Sequence, residues 1–129
     1  MAAGSIVSVL ELNHVALYVR DLEASVHFYG EVLGLPPLAP PDFPFPVAWF
    51  ALGSQELHLI TDTQNQDRER HSLHVALLVA DAAASAEALR NRGITDIRGP
   101  ALRPDGAVQV FLHDPDGYLL ELISKKART

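Results

Sequence analysis

The chain has 129 residues, of which 48% are hydrophobic and 20% are charged, and it contains no cysteine. This length suffices for one domain with a buried core, and the lack of thiols excludes disulfides and thiolate ligands. Any bound metal would therefore be held by nitrogen and oxygen atoms. The formal net charge of -6 argues against a nucleic-acid partner, because phosphate binding requires clustered lysine and arginine side chains.

The first ten residues lack the basic start and apolar core of a signal peptide. The longest apolar runs are also far shorter than the ~20 residues that span a bilayer. We therefore expect a cytoplasmic protein that does not bind membranes. Its expected partner is a small-molecule substrate.

An eight-residue segment occurs twice and organises the chain. Residues 14–21 (HVALYVRD) and residues 74–81 (HVALLVAD) are identical at six of eight positions, and each copy begins with a histidine. In each copy the alternating, β-forming residues end at an aspartate that can cap a following helix. Such internal repetition predicts two similar units that pack together and share a core.

The first copy begins a predicted strand at 12–19 and is followed by a helix. Its apolar stripe consists of Leu22, Val26, Tyr29 and Leu33, and Gly34 is a plausible stop. Residues 36–46 hold six of the nine prolines and so predict a loop or an edge strand. Two further strands are predicted at 47–52 and 56–61.

The second half repeats this order. A strand at 73–80 precedes a helix that carries Ala82, Ala86 and Leu89 and ends at Gly93. Strands are predicted at 94–98, 107–113 and 118–124, with a turn at 114–117. The β-α-β-β-β pattern therefore predicts a first module at about 10–62, a linker at 63–71 and a second module at about 72–125.

Four polar residues occupy equivalent places in the two copies. Superposing the copies pairs His14 with His74 and His58 with Glu121. A carboxylate in a strand as apolar as that around Glu121 is costly to bury unless a partner offsets its charge. A divalent cation is one such partner, and three imidazoles with one carboxylate suit Zn, Ni, Co, Mn or Fe.

Three segments carry a family resemblance. HVAL at 14–17, FYGEVLGL at 28–35 and DPDGYLLEL at 114–122 resemble the vicinal oxygen chelate superfamily, which includes glyoxalase I, extradiol dioxygenases and bleomycin-resistance proteins. The resemblance covers about residues 12–124. It implies an α+β fold in which tandem βαβββ modules form a half-open, eight-stranded sheet cup within a single domain.

The resemblance also implies a metal site and an activity. It implies one divalent metal per site, held by His14, His58, His74 and Glu121, in a chain that forms a homodimer. The implied function is that of a metal-dependent, glyoxalase-like lyase or isomerase acting on a small substrate chelated through adjacent oxygens. The alternatives are an Fe(II) dioxygenase or thiol transferase of the same superfamily, and a non-catalytic small-molecule binder resembling bleomycin-resistance proteins.

Roles for individual residues follow from this resemblance and its departures. Glu121 and His58 are the candidate catalytic acid/base groups, with Glu56 as a second base candidate. Glyoxalase I typically has an arginine at the position of Tyr18 and a carboxylate at that of His58, so strict glyoxalase I activity is not implied. The candidate substrate contacts are two aromatic side chains that can stack on an apolar group, one cation for an anionic group, and the residue at the arginine position: Trp49, Phe111, Arg103 and Tyr18.

Overall fold

The computed structural model describes residues 10–62 and 74–125, which we call the first and second halves. Each half contains one four-stranded sheet and one helical region. The first-half strands are β1 (His14–Val19), β2 (Pro37–Leu38), β3 (Val47–Leu52) and β4 (Gln55–Thr61). The second-half strands are β5 (Val75–Leu78), β6 (Ile97–Leu102), β7 (Val108–His113) and β8 (Leu119–Ser124). The predicted α+β class is thus confirmed; the predicted linker at 63–71 lies outside the described residues.

Both sheets have the same strand order and the same register. The orders are β1-β4-β3-β2 and β5-β8-β7-β6, with the first and last strands of each half paired in parallel. Ala16 lies opposite His58 in the first sheet, and Ala76 lies opposite Glu121 in the second. The duplication in the sequence is therefore also a duplication of strand pairing.

The helical region of the first half differs from the prediction. It consists of α1 (Leu22–Val26) and a π-helical segment (His27–Val32), in which the Leu33 amide donates to the Phe28 carbonyl at 2.9 Å. Ser25 is buried and Val26 is exposed, so the predicted stripe through Val26 is wrong. Ser25 faces inward because its hydroxyl donates to Asp116 of the second half at 3.3 Å.

The second helix, α2 (Ala82–Asn91), agrees with its prediction. The Asp81 side chain accepts a hydrogen bond from the Ala84 amide at 3.0 Å and caps the helix. Ala82, Ala86 and Leu89 are its buried residues. None of the helices in the described ranges is long and apolar enough to cross a membrane.

Two prolines lie in edge strands. Pro37 belongs to β2, at one edge of the first sheet, in agreement with the predicted loop or edge strand. Pro100 lies within β6, at the edge of the second sheet. This strand spans Ile97–Leu102 and so begins and ends later than the predicted strand at 94–98. An edge position tolerates proline because no neighbouring strand needs its missing N–H.

One hydrophobic core spans both halves. Leu17 and Leu57 of the first sheet belong to the same buried cluster as Leu120 and Leu122 of the second. Along β1 the residues alternate, with Leu17 and Val19 buried and His14, Ala16 and Tyr18 exposed. The histidine-bearing face of β1 is therefore the face turned away from the shared core.

Candidate metal centre

The first pair of predicted ligands lies on the first sheet. The His14 and His58 rings stack with centroids 4.2 Å apart and an interplanar angle of 20°. Trp49 covers the other face of His58 at 3.6 Å and 7°, which leaves His58 only 8% exposed. The Nε2 atom of His58 is 2.8 Å from Oε1 of Glu56. His58 is thus held between two rings and oriented by a carboxylate.

The second pair lies on the second sheet. Nε2 of His74 is 3.1 Å from Oε1 of Glu121, and the side-chain amide of Gln109 donates to Oε2 at 3.0 Å. Glu121 is only 5% exposed, so these two contacts offset part of the cost of burying its charge. Phe111 meets the His74 ring edge-on, with centroids 6.2 Å apart.

The four predicted ligands are therefore brought together as two pairs, one on each sheet. Among residues 10–62 and 74–125, no group of three or more His, Asp or Glu side chains is placed to hold a metal ion. The nitrogen and oxygen donors suit the borderline divalent metals expected from the sequence. Each pair supplies two donors, whereas a catalytic zinc site has three protein ligands, so one pair alone does not complete such a centre.

The aromatic candidates occupy equivalent positions in the two sheets. Trp49 lies opposite His58 on β3, and Phe111 lies opposite Glu121 on β7. Tyr18 is 46% exposed, on the same face of β1 as His14. Its backbone carbonyl accepts a hydrogen bond from the Tyr118 hydroxyl at 3.0 Å, so Tyr18 also lies at the contact between the halves.

The candidate cation Arg103 is engaged by a neighbouring carboxylate. Its Nε and Nη2 atoms donate to the two oxygens of Asp105 at 2.9 and 2.6 Å. These hydrogen bonds raise the pKa of Arg103 and lower the pKa of Asp105 to about 2. Arg103 is therefore part of a local ion pair across the turn between β6 and β7.

Sequence reasoning missed Gln109 and the aromatic pair Phe43 and Phe45. Gln109 lies two residues before Phe111, so strand alternation places both side chains on one face of β7. The candidate Phe111 therefore made it possible to predict that Gln109 also faces the site. Phe43 lies 6.2 Å from Trp49 and 5.4 Å from Phe45, measured between ring centroids. Both phenylalanines belong to the proline-rich segment, whose irregular backbone gives no periodic pattern from which side-chain direction can be inferred.

Comparisons with known proteins agree with this architecture. The family model of the Glyoxalase/Bleomycin resistance protein/Dioxygenase superfamily matches residues 11–122. Lactoylglutathione lyase of Neisseria meningitidis is 35% identical and that of Escherichia coli O157:H7 is 34% identical, over 92% and 91% of this chain and 93% and 94% of those proteins. The crystal structure of a lactoylglutathione lyase from Agrobacterium tumefaciens, 21% identical, has a TM-score of 0.71 and covers 88% of this chain and 92% of that one. The chain therefore belongs to the Glyoxalase/Bleomycin resistance protein/Dioxygenase superfamily.

Proposed function

We propose that the chain is a metal-dependent, glyoxalase-like lyase or isomerase that acts on a small substrate bound through two adjacent oxygen atoms. The observation that carries this proposal is the buried Glu121 carboxylate, which contacts the His74 imidazole and the Gln109 amide. The His14–His58 pair at the equivalent place of the other sheet adds two more donors. Relatives 30–35% identical are named lactoylglutathione lyase or probable lactoylglutathione lyase, which supports this reaction class.

The proposed centre requires both pairs. We propose a homodimer in which His14 and His58 of one subunit face His74 and Glu121 of the partner subunit. This arrangement is supported by the exposed position of His14 and by the 66% exposure of Leu78, which follows His74 on the adjoining strand. A subunit contact would bury such an apolar side chain and so favour association.

The residues of the site suit proton transfer between adjacent carbons. A bound divalent metal would act as a Lewis acid on the substrate carbonyl and so acidify the neighbouring C–H. Glu121, held by its two hydrogen-bonding partners, is one group that can accept this proton and return it to the adjacent carbon. His58 is the other, and Glu56 fixes the orientation of its ring.

Elemental analysis of the purified, tag-free protein tests the proposal. We expect about one Zn, Ni, Co, Mn or Fe per chain, together with isomerisation of a hemithioacetal formed from a 2-oxoaldehyde and a thiol. Protein treated with a chelator and then reloaded provides the matched control. A protein that takes up no metal on reconstitution would contradict the proposal, and oxygen consumption with bound iron would instead identify a dioxygenase.

A further inference from the structure

We propose that Phe43, Phe45 and Trp49 form an aromatic shelf that binds a flat, uncharged part of the substrate, such as a phenyl ring. The inference rests on the proposed function in one respect, because it assumes that the reacting oxygen atoms of the substrate bind near His14 and His58. It adds a substrate class for this chain, which the donor residues do not define and which differs from the glutathione thioester in the names of the relatives.

The shelf is continuous with the candidate ligands. Phe45 stacks on Phe43 with centroids 5.4 Å apart, and Phe43 lies 6.2 Å from Trp49 at an interplanar angle of 48°. Trp49 in turn stacks on His58 at 3.6 Å. The three rings of the shelf therefore continue through Trp49 to His58 and end at the first donor pair.

The shelf is accessible and its backbone is restrained. Phe43 is 40% exposed and Phe45 is 45% exposed, so both rings are open to a ligand. Hydrogen bonds fix the proline-rich segment at both ends, from the Ala51 amide to the Pro36 carbonyl at 2.8 Å and from the Thr61 hydroxyl to the Pro46 carbonyl at 3.0 Å. Proline limits the backbone further, so little ordering is needed when a ring binds.

The charged residues along the part of the chain that carries the shelf disfavour an anionic substrate group. The chain contains no lysine or arginine between Arg20 and Arg68, whereas Asp42 lies beside Phe43 in the sequence and Glu56 contacts His58. Arg103, in the second half, already forms its ion pair with Asp105. A peptide thiol such as glutathione, with two carboxylates, would thus find acidic neighbours here, while a neutral ring gains from stacking.

Calorimetric titration with two matched ligands tests the shelf. Hydroxyacetone and 2-hydroxyacetophenone present the same hydroxyl and carbonyl oxygens, but only the second carries a phenyl ring. We expect 2-hydroxyacetophenone to bind at least about tenfold more tightly, and glutathione to bind more weakly than either. The Phe43→Ala/Phe45→Ala double variant should lose most of this preference, whereas the control Leu102→Ala, which removes an exposed leucine from β6, should retain it.

The possible results of this titration test the shelf independently of the proposed function. Equal affinity for the two ketones, or a preference unchanged in the double variant, would overturn the shelf even if the protein isomerises hemithioacetals. An aromatic preference that depends on these phenylalanines in metal-free protein supports the shelf even if no lyase activity is found. If the double variant changes the oligomeric state in sedimentation while the ligand preference remains, the rings form a subunit contact and the proposal is wrong. The single variant Phe45→Ala gives the same test if the double variant does not fold.

Discussion

The hydroxyl of Tyr29 donates a 2.8 Å hydrogen bond to Oδ2 of Asp114, which joins the helical region of the first half to the β7–β8 turn of the second. The other oxygen of Asp114 accepts from the backbone amides of Asp116 and Tyr118, both at 2.9 Å. Asp116 in turn accepts from the Arg20 amide at 2.8 Å. The hydrogen bonds from Tyr29 and Arg20 fix one half against the other, and hence the relative positions of the two donor pairs.

Removing the Tyr29 hydroxyl should weaken the protein measurably. We expect Tyr29→Phe to lower the free energy of unfolding by about 1.5–3 kcal/mol, since it deletes a buried hydrogen bond to an acidic group. Urea denaturation measures this loss. The control is Ser54→Ala, which removes an exposed hydroxyl 3.4 Å from Glu11 and should cost less than about 0.5 kcal/mol. Similar losses in the two variants would show that the Tyr29–Asp114 hydrogen bond contributes no more to the free energy of unfolding than an exposed one.

Asp114 should make stability depend on pH. Burial raises the pKa of its carboxyl, and the hydrogen bonds from Tyr29 and the backbone amides only partly oppose this shift. The folded protein therefore holds the proton more tightly than the unfolded chain does. The contribution of Asp114 is fully present below the unfolded value of 3.8 and is lost as the pH rises through the folded pKa.

The Asp114→Asn variant isolates this effect, since it removes the titrating group and keeps its size. We expect wild-type stability, relative to that of the variant, to fall as the pH rises through the interval above 3.8. Urea unfolding of both proteins at a series of pH values measures the difference. A stability difference that stays constant with pH would contradict the raised pKa of Asp114.

Gln109 should affect metal affinity through Glu121. Its amide orients the carboxylate from 3.0 Å, as do the outer partners of metal ligands in many sites. We expect Gln109→Ala to weaken metal binding by about 10–100-fold, and Glu121→Gln to weaken it more. Competition with a chromophoric chelator measures both affinities. Unchanged metal affinity in Glu121→Gln would remove Glu121 from the proposed ligands.

His58 and His74 should contribute unequally to metal affinity. Nε2 of His58 already contacts Glu56, and its ring is held between Trp49 and His14, so coordination through Nε2 would require Glu56 to be released. We therefore expect His58→Ala to weaken metal binding less than His74→Ala. The same chelator competition compares the two variants. Equal losses would indicate that His58 is an obligatory ligand rather than an optional fourth one.

The repeat in the sequence predicted the β-α-β-β-β order of each half, because strand alternation and helix capping are local and occur twice. The arrangement of the two modules in one fold was implied by the family resemblance. The second helix also forms where it was predicted, and Ala82, Ala86 and Leu89 are its buried residues. The predicted stripe of the first helical region failed at Ser25, because the hydroxyl of this residue donates to Asp116, 91 positions along the chain. The separation of the donors into two pairs depends on how the two sheets pack, and a superposition of the copies contains no information about that packing.

Mixing two defective variants tests whether each centre is built from two subunits. In His14→Ala the first donor pair is damaged, and in Glu121→Gln the second is damaged, so each homodimer should bind metal poorly. A heterodimer of the two would combine the intact first pair of one subunit with the intact second pair of its partner and would regain one metal site. Co-expression with two different tags, followed by sequential purification and metal analysis, detects it. Heterodimers that bind no more metal than the separate variants would show that all the donors come from the same chain.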